Sequence, residues 1–319
     1  MKKILFFLAA LAIVASCGKD KADKKNGGKD NSIKSVVLNK NLMMLGAGVE
    51  YRLTAACEPA RDDAEWEWIS DNPAVATVSE TGVVTSNKAG ETVIRARLET
   101  KEDTCRLVVC ALPEAVELGI AGVKWASFNI GADSGEGVGS PFTWGSTLPN
   151  ELDKKTPYLV YLRDEMDHPY QRLTKYCPNA EYGYEGYVDQ KTSLEADDDA
   201  ATQILGVGWR MPAKNDFNQL LDNCNWTWVS SKNCFKISNK KDSGKYIYLP
   251  ITGHTDPSFS QEKGYYWTSD LETGYPLGAY YYEIQHVSGS ANGDLHSPMT
   301  AVRYAKYFIR AVKTKDYYE

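Results

Sequence analysis

The chain has 319 residues, 43% of them hydrophobic and 24% charged, a composition that fits folded globular units and excludes a polymer disordered over most of its length. That length favours two folded units with appendages over a single domain. Formal charge is −6, and beyond residue 34 it falls to −11, with 28 basic against 39 acidic side chains; this excludes a nucleic-acid binder, which draws its affinity from Lys and Arg on phosphates, and a body lying flat on anionic lipid.

Lys2 and Lys3 followed by the apolar run Ile4 to Val14 and the small pair Ala15-Ser16 predict a signal segment over residues 1–16. No later run reaches about 18 apolar residues, so no membrane-crossing helix is expected. Val14-Ala15-Ser16-Cys17 resembles a bacterial lipobox. That resemblance implies release of residues 1–16, lipid on Cys17, and an outer-membrane location at the cell surface; the alternative is an ordinary secreted protein with a cysteine there. Acyl chains anchor at about 0.8 kcal/mol per buried CH₂, so the membrane is the first expected partner. Residues 17–34, rich in Lys, Asp, Gly and Asn, predict a solvated tether. Lys19-Asp20 is similar to an export signal for the outer face.

With Cys17 assigned to lipid, Cys57, Cys105, Cys110, Cys177, Cys224 and Cys234 remain, in a compartment that permits disulfides. Six cysteines allow fifteen connectivities, of which Cys57 with Cys105 and Cys224 with Cys234 are the pairs to test first. There is no CxxC and no close His/Cys set, so no metal site is expected.

From residue 35 to 112 short strand-like runs alternate with turn residues every 8 to 12 positions, as in Glu65-Trp66-Glu67-Trp68-Ile69 and Val93 to Leu98. This spacing predicts a β-sandwich. Trp68, Asn72, Pro73, Val75, Ala76, Val78, Gly82, Val84 and Gly90 sit where the group 2 bacterial Ig-like domain has its pattern, and the segment resembles that family. Trp68 is expected between the sheets, Gly82 at a positive-φ turn, and Pro73 just after a strand. Modules of this kind serve as stalks.

Leu112-Pro113-Glu114 reads as a short hinge, and composition then shifts: nineteen of twenty tyrosines and six of eight tryptophans lie beyond it. Residues 113–319 are expected to form a separate α+β domain. Its predicted elements are a strand over Val123 to Ala132, a helix ending at Leu205 behind the acidic run Asp197-Asp198-Asp199, and a helix over about Lys214 to Leu221 behind Pro212. Strand candidates follow in WTWVS, CFKIS, KYIYLPITG, GYYWTSD, AYYYEIQH and YAKYFIRAVK.

Trp125, Asn129, Gly131, Trp144-Gly145, Gly208 to Pro212, Phe217, Leu220, Leu249-Pro250, Gly253, Gly264 to Ser269 and Arg310-Ala311-Val312 resemble, in order, the Fibrobacter major paralogous family. That family occurs in exported bacterial lipoproteins and is similar to the C-type-lectin-like fold. The resemblance implies that Gly208-Trp209-Arg210-Met211-Pro212 is scaffold, a strand entering a helix, with Arg210 paired to a carboxylate of the domain. The cysteine pair of the formylglycine-generating relatives has no counterpart beyond Cys234.

No hydrolytic nucleophile motif, dinucleotide or phosphate loop, or HExxH is present, so the chain reads as non-catalytic and without a cofactor. His168, His254, His286 and His296 are scattered polar residues. Asp197-Asp198-Asp199 invites calcium but is explained by capping of the following helix. Calcium-dependent lectin motifs have only Cys177-Pro178-Asn179 and Lys214-Asn215-Asp216 near them in type, each lacking its first residue. The candidate ligand contacts are Tyr176, Tyr182, Tyr184 and Tyr187, in a Gly/Asn-rich stretch that reads as solvent-facing; a tyrosine offers an apolar face and a polar tip to a glycan or a protein. Anchor, stalk and tip together suggest an adhesin-like binding protein, with a structural or assembly subunit of a surface complex as the alternative.

Overall fold

The computed structural model describes residues 32–163, 169–287 and 295–314, with nothing said of the side chains of Pro169, Tyr170 and Leu295. The expected signal segment, Cys17, most of the expected tether and His168 lie outside the described residues.

The N-terminal part contains β1 (Ser35–Leu38), β2 (Leu42–Gly46), β3 (Glu50–Arg52), β4 (Ala55–Glu58), β5 (Glu67–Ser70), β6 (Ala76–Val78), β7 (Val83–Ser86), β8 (Gly90–Leu98) and β9 (Lys101–Cys110). They make a four-stranded sheet in the order β2-β9-β8-β5, a three-stranded sheet β3-β7-β6 and the pair β1-β4. All pairs are antiparallel except β2 with β9. Strict alternation in β8 sends Ile94 and Ala96 inward to meet Val84, Cys105 and Leu107, so the period-2 pattern of the sequence becomes the sandwich core. Trp68 is not at its centre. It packs half-buried at the margin, where its ring lies 2.8 Å from the position a Cβ on Gly82 would take. Gly82 has φ +79°, as its turn requires.

The C-terminal part contains β10 (Ala115–Val116), β11 (Val123–Ala126), β12 (Leu159–Arg163), β13 (Pro169–Leu173), α1 (Ala200–Leu205), β14 (Trp209–Arg210), α2 (Lys214–Asn223), β15 (Cys224–Val229), β16 (Cys234–Asn239), β17 (Tyr246–Pro250), β18 (Lys263–Leu271), β19 (Gly278–Gln285), β20 (Leu295–Val302) and β21 (Val312–Thr314). Strands outweigh the helices of six and ten residues, so this half is mainly β rather than evenly mixed. The expected strand from Val123 stops at Ala126, and of YAKYFIRAVK only its last residues join a strand. Residues 304–311 instead run between sheets, held by single bridges of Tyr307 to Phe142 and Phe308 to Tyr266.

Asp199 caps α1 by accepting the Thr202 N–H at 3.0 Å, which is the capping role expected of the acidic run. Arg210 on β14 reaches the Asp216 carboxylate at 2.6 and 3.2 Å, and Asp216 also accepts the Ala213 N–H at 2.7 Å. The strand-to-helix junction is thereby latched, and the GWRMP segment is scaffold. Phe217 and Leu220 are the buried face of α2.

The two parts share a core. Met44, Val108 and Cys110 of the sandwich pack with Trp144, Ile204, Leu205 and Trp209 in one cluster, and the described residues from Ile33 onward form a single compact unit. Leu112 is therefore no free hinge: its Cδ1 lies 2.9 Å from where a Cβ on Gly46 would sit.

Neither expected disulfide forms. Cys57 packs with Ile33, Val36 and Leu98 in a small outer cluster while Cys105 lies in the sandwich core, and both are free thiols. Cys224 pairs in register with Asn239 and Cys234 with Val229, at opposite ends of one hairpin. Five residues of strand separate them by about 17 Å, far beyond the roughly 7 Å that a disulfide can bridge.

Two outcomes follow from the shared core and from Gly82. Denaturant unfolding of the chain, followed by tryptophan fluorescence, gives one transition, and Gly82→Ala lowers it by about 2 kcal/mol or more, because the added Cβ meets the Leu53 carbonyl as well as Trp68 at a left-handed φ. Two separated transitions would contradict a single cooperative body.

Candidate functional site

β18 and β19 pair so that Tyr265 faces Glu283 and Trp267 faces Tyr281 across one side of the ribbon, with Tyr266 facing Tyr282 on the other. The first side is roofed by Tyr307 from the 304–311 segment. Its ring stacks on Tyr265 at 5.1 Å and 18° and contacts Tyr281 at 4.6 Å and Trp267 at 4.7 Å. Tyr265, Tyr281 and Tyr307, with Lys263 and Glu283, line the floor of a cleft of about 650 Å³. One lip is the loop after β17, which carries His254, Asp256 and Phe259; the other is the end of β20 and its continuation, with Ala301, Val302 and Tyr304. Phe259 is 59% exposed and Tyr304 39%, so each lip presents an aromatic ring to solvent.

The loop is built to keep its shape. Gln261 donates from Nε2 to the carbonyls of His254 and Phe259 at 3.1 Å, and His254 rests on Phe259 at 4.4 Å and on Tyr265 at 5.2 Å. Asp256 accepts the N–H and O–H of Ser258 at 2.9 and 2.7 Å, which holds its carboxyl below the usual range, while its own N–H donates to Nδ1 of His254 at 3.0 Å. The serine hydroxyl and Nδ1 of the imidazole are thus tied into the hydrogen bonds that shape the loop.

In the floor, Lys263 Nζ pairs with Glu283 Oε1 at 2.6 Å, and the Tyr281 hydroxyl donates to Glu283 Oε2 at 3.3 Å. The Tyr265 hydroxyl donates to the Ser260 carbonyl at 3.3 Å. Burial, with Glu283 and the neighbouring phenols adding to it, raises the pKa of Tyr265 and Tyr281 and pushes Tyr307 up to about 12. The phenols stay protonated and the ion pair cancels its own charge. Chemically the cleft is a hydrogen-bonding floor whose one ion pair cancels its own charge, between lips that set Phe259 and Tyr304 beside the charged Asp256 and Lys306.

The four tyrosines singled out in the sequence do not meet at one place. Tyr176 is fully buried, which overturns its assignment to a solvent-facing loop. Its ring lies edge-on to Trp144 at 5.2 Å, its hydroxyl donates to Asp198, and it accepts the Glu195 N–H at 2.9 Å, so it has nothing left for a ligand. Asp198 also takes the Tyr158 hydroxyl and Lys175 Nζ, which occupies the middle of the acidic run with protein partners. Tyr182 is half-buried, edge-on to Tyr275 at 5.9 Å. Tyr184 and Tyr187 are exposed and flank a shallow hollow of about 340 Å³. That turn is fixed by Gly183, where a Cβ would fall 2.0 Å from the Tyr187 carbonyl oxygen, and by Glu185 at φ 51°.

The cleft residues Phe259, Lys263, Tyr265, Tyr281, Glu283, Tyr304 and Tyr307 were not among the sequence candidates. One signal for them was there: in KGYYWTSD and AYYYEIQH alternate positions put Lys263, Tyr265, Tyr281 and Glu283 on one face of a ribbon, a mixture of charge and aromatic that a purely structural strand face does not require.

A family model bears on the N-terminal part. Residues 32–109 match the family model described as bacterial Ig-like domain (group 2). This segment is a bacterial Ig-like domain of group 2. Among solved structures, domains 4 and 5 of the S-layer protein SbsC are 19% identical over 25% of this chain and 53% of theirs, with TM-score 0.23. An intimin mutant of EHEC O157:H7 is 18% identical over 27% of this chain and 55% of its own, with TM-score 0.21. An Ig-like-domain-containing GH10 xylanase from termite gut is 17% identical over 24% and 20%, with TM-score 0.20. The chain thus spans about half or less of the length of these structures. A comparison with curated proteins gives no match.

The tyrosine stretch hangs on one carboxylate. Asp189 accepts the N–H groups of Tyr176, Cys177 and Lys191 at 2.7, 2.9 and 3.1 Å; burial works against its charge, but these bonds outweigh it and lower its pKa. A depressed carboxyl pKa contributes stability above the unfolded value of about 4 and loses it as pH falls through the folded value. Hydrogen exchange of the amides of Tyr176, Cys177 and Lys191 is therefore expected to lose about ten-fold in protection in Asp189→Asn at neutral pH, and acidification of the wild type below about pH 4 produces the same loosening.

Proposed function

We propose that this chain is a lipid-anchored, non-catalytic binding protein of the outer cell surface, in which the Ig-like domain carries a C-type-lectin-like half of the Fibrobacter major paralogous kind and presents its cleft to a ligand. The observation that carries this reading is the cleft: exposed aromatic rings on its lips over a hydrogen-bonding floor whose one ion pair cancels its own charge, with its serine, histidine and carboxylates engaged in ways that hold the loop. Support for the lectin-like assignment comes from residues of the family pattern that meet in space. Asn129 accepts from Arg310 Nε at 2.7 Å, and the Trp144 indole donates to the Thr268 carbonyl at 2.9 Å. Support for a rigid display comes from the continuous core between Ig-like domain and C-terminal half. The anchor rests on Val14-Ala15-Ser16-Cys17.

Cells displaying the full chain are expected to adhere to a ligand-bearing surface, and the double variant Phe259→Ala/Tyr304→Ala to lose adhesion by about ten-fold or more, since both rings are exposed and their removal spares the fold. Fatty-acid incorporation measured in parallel is unchanged in that variant and absent in Cys17→Ala. Adhesion that survives the double variant would remove the cleft from the function.

A further inference from the structure

The sheet β15-β16-β17 has a second face. Phe235 and Ile237 turn inward to a core, so alternation sends Lys236, in register with Thr227 and Tyr248, to the other side, together with Asn225 and Tyr246. There Lys236 Nζ lies 4.1 Å from the centroid of the Tyr246 ring and Lys232 Nζ 4.5 Å from that of Tyr248, and the two rings meet edge-on at 5.4 Å. The turn after β16 adds Lys240, Lys241 and Lys245, all exposed. Ammonium and phenol groups thus form a row along β16 and β17, about 20 Å from one turn to the other.

Few carboxylates answer these lysines. Glu136 pairs with Lys232, Asp242 is tied into the turn by accepting the Gly244 N–H at 3.0 Å, and Asp222 offers Lys240 Nζ its backbone carbonyl at 2.6 Å. Among the described residues, Lys236, Lys241 and Lys245 have no carboxylate at ion-pair distance. Five lysines against these three carboxylates make the row +2, while the rest of the body beyond residue 34, with 23 basic and 36 acidic side chains, is −13.

We infer that this face binds an acidic polysaccharide, an extended chain bearing carboxylate or sulfate groups, at a site separate from the cleft. The sign of the ligand follows from the lysines without partners. Its extended form follows from a row laid along a sheet face. Its saccharide nature follows from the Thr227 hydroxyl, the Asn225 amide and the two phenols set among the ammonium groups, which exchange hydrogen bonds with sugar hydroxyls.

Other polyanions fit this face less well. Single-stranded nucleic acid stacks its bases on free aromatic faces, and here an ammonium lies over each ring. An acidic protein needs an apolar centre to its interface, whereas the exposed outward positions of the three strands are Asn225, Thr227 and Tyr246. An anionic bilayer is a plane, which brings the acidic remainder of the body against the same charges. A thread touches the row alone, and acidic side chains more than about 8 Å from it are screened at physiological salt.

The test is calorimetric titration of the full chain with polygalacturonate, heparin, neutral dextran, phosphatidylglycerol vesicles and oligothymidylate. At least one of the two acidic polysaccharides is expected to bind and dextran not to, with affinity falling about ten-fold or more from low to physiological salt. Lys236→Ala/Lys241→Ala/Lys245→Ala lowers that affinity about ten-fold or more, and the corresponding triple arginine variant restores it to within about two-fold of wild type. Lys34→Ala/Lys88→Ala/Lys101→Ala, an equal change of charge at exposed lysines of the Ig-like domain, also stays within about two-fold. Dextran binding as tightly as the acidic polymers, or equal losses in the two alanine variants, overturns the site. Tighter binding of vesicles or oligothymidylate, lost in the first alanine variant, overturns the polysaccharide in favour of that ligand. Failure of both acidic polysaccharides overturns the inference and leaves the cleft, whose adhesion is read separately through Phe259→Ala/Tyr304→Ala.

Discussion

The structure depends on a ribbon with no outside. β18 and β19 carry aromatic residues on both faces, and alternate positions send Trp267 and Tyr281 into one core and Tyr266 and Tyr282 into the other. On the second side Phe217 of α2 stacks on Tyr282 at 4.6 Å and meets Trp125 edge-on at 5.0 Å. A ribbon buried on both faces cannot slip by one residue without exchanging the two cores, so its register is among the most strongly specified features of the chain. The first core is also the one that reaches Met44 of the Ig-like domain and rises to the cleft floor. The contact with the Ig-like domain, the packing of both cores and the cleft floor are consequences of one pairing.

Two buried cations brace this arrangement mainly through carbonyl oxygens. Arg310, wholly buried, donates to Asn129 and to the carbonyls of Ala126 and Ser127; Arg303, equally inaccessible, donates to two backbone carbonyls and lies 5.0 Å from the Trp144 ring. Burial lowers both guanidinium pKa values to about 10, with nearby Tyr266, Cys234 or Cys177 opposing it only in part. One nitrogen of each, Nη2 of Arg310 and Nε of Arg303, has no partner among the described residues. Such groups cost stability. What they supply is geometry, because a planar fork can gather carbonyls from segments far apart in sequence, as Arg303 does for the tyrosine stretch and the β20 continuation.

How much of this was legible in the sequence follows from how local each signal is. The Ig-like domain was readable because its core is made by alternation within strands, and the Gly82 turn and the Asp199 cap are set by neighbours two or three residues away. The Arg210–Asp216 latch lies within six residues and was foreseen as an internal pair. Tyr176 was misplaced because its surroundings in sequence, Asn179, Gly183 and Gly186, are those of a surface loop, while its burial comes from Trp144 and Asp198, reached only in three dimensions. The Cys224–Cys234 pairing failed for a related reason: proximity along the chain is not proximity across a hairpin, whose register is fixed by the partner strand. The cleft required three separated segments, the loop after β17, the β18–β19 face and residues 301–307, and no pattern within any one of them announces the others.

The contrast between the two aromatic regions explains why the cleft outranks the tyrosine turn as the primary site. Tyr184 and Tyr187 stand on a turn with a left-handed glutamate and a shallow hollow beneath, so a bound ring there keeps most of its surface in water. At the cleft a ligand gains two opposed lips and a floor whose hydrogen bonds are already oriented, so less ordering remains to be done on binding. Groups already held by hydrogen bonds and stacking leave less to be ordered at the cleft than at the turn, where the exposed rings of Tyr184 and Tyr187 have only a shallow hollow between them.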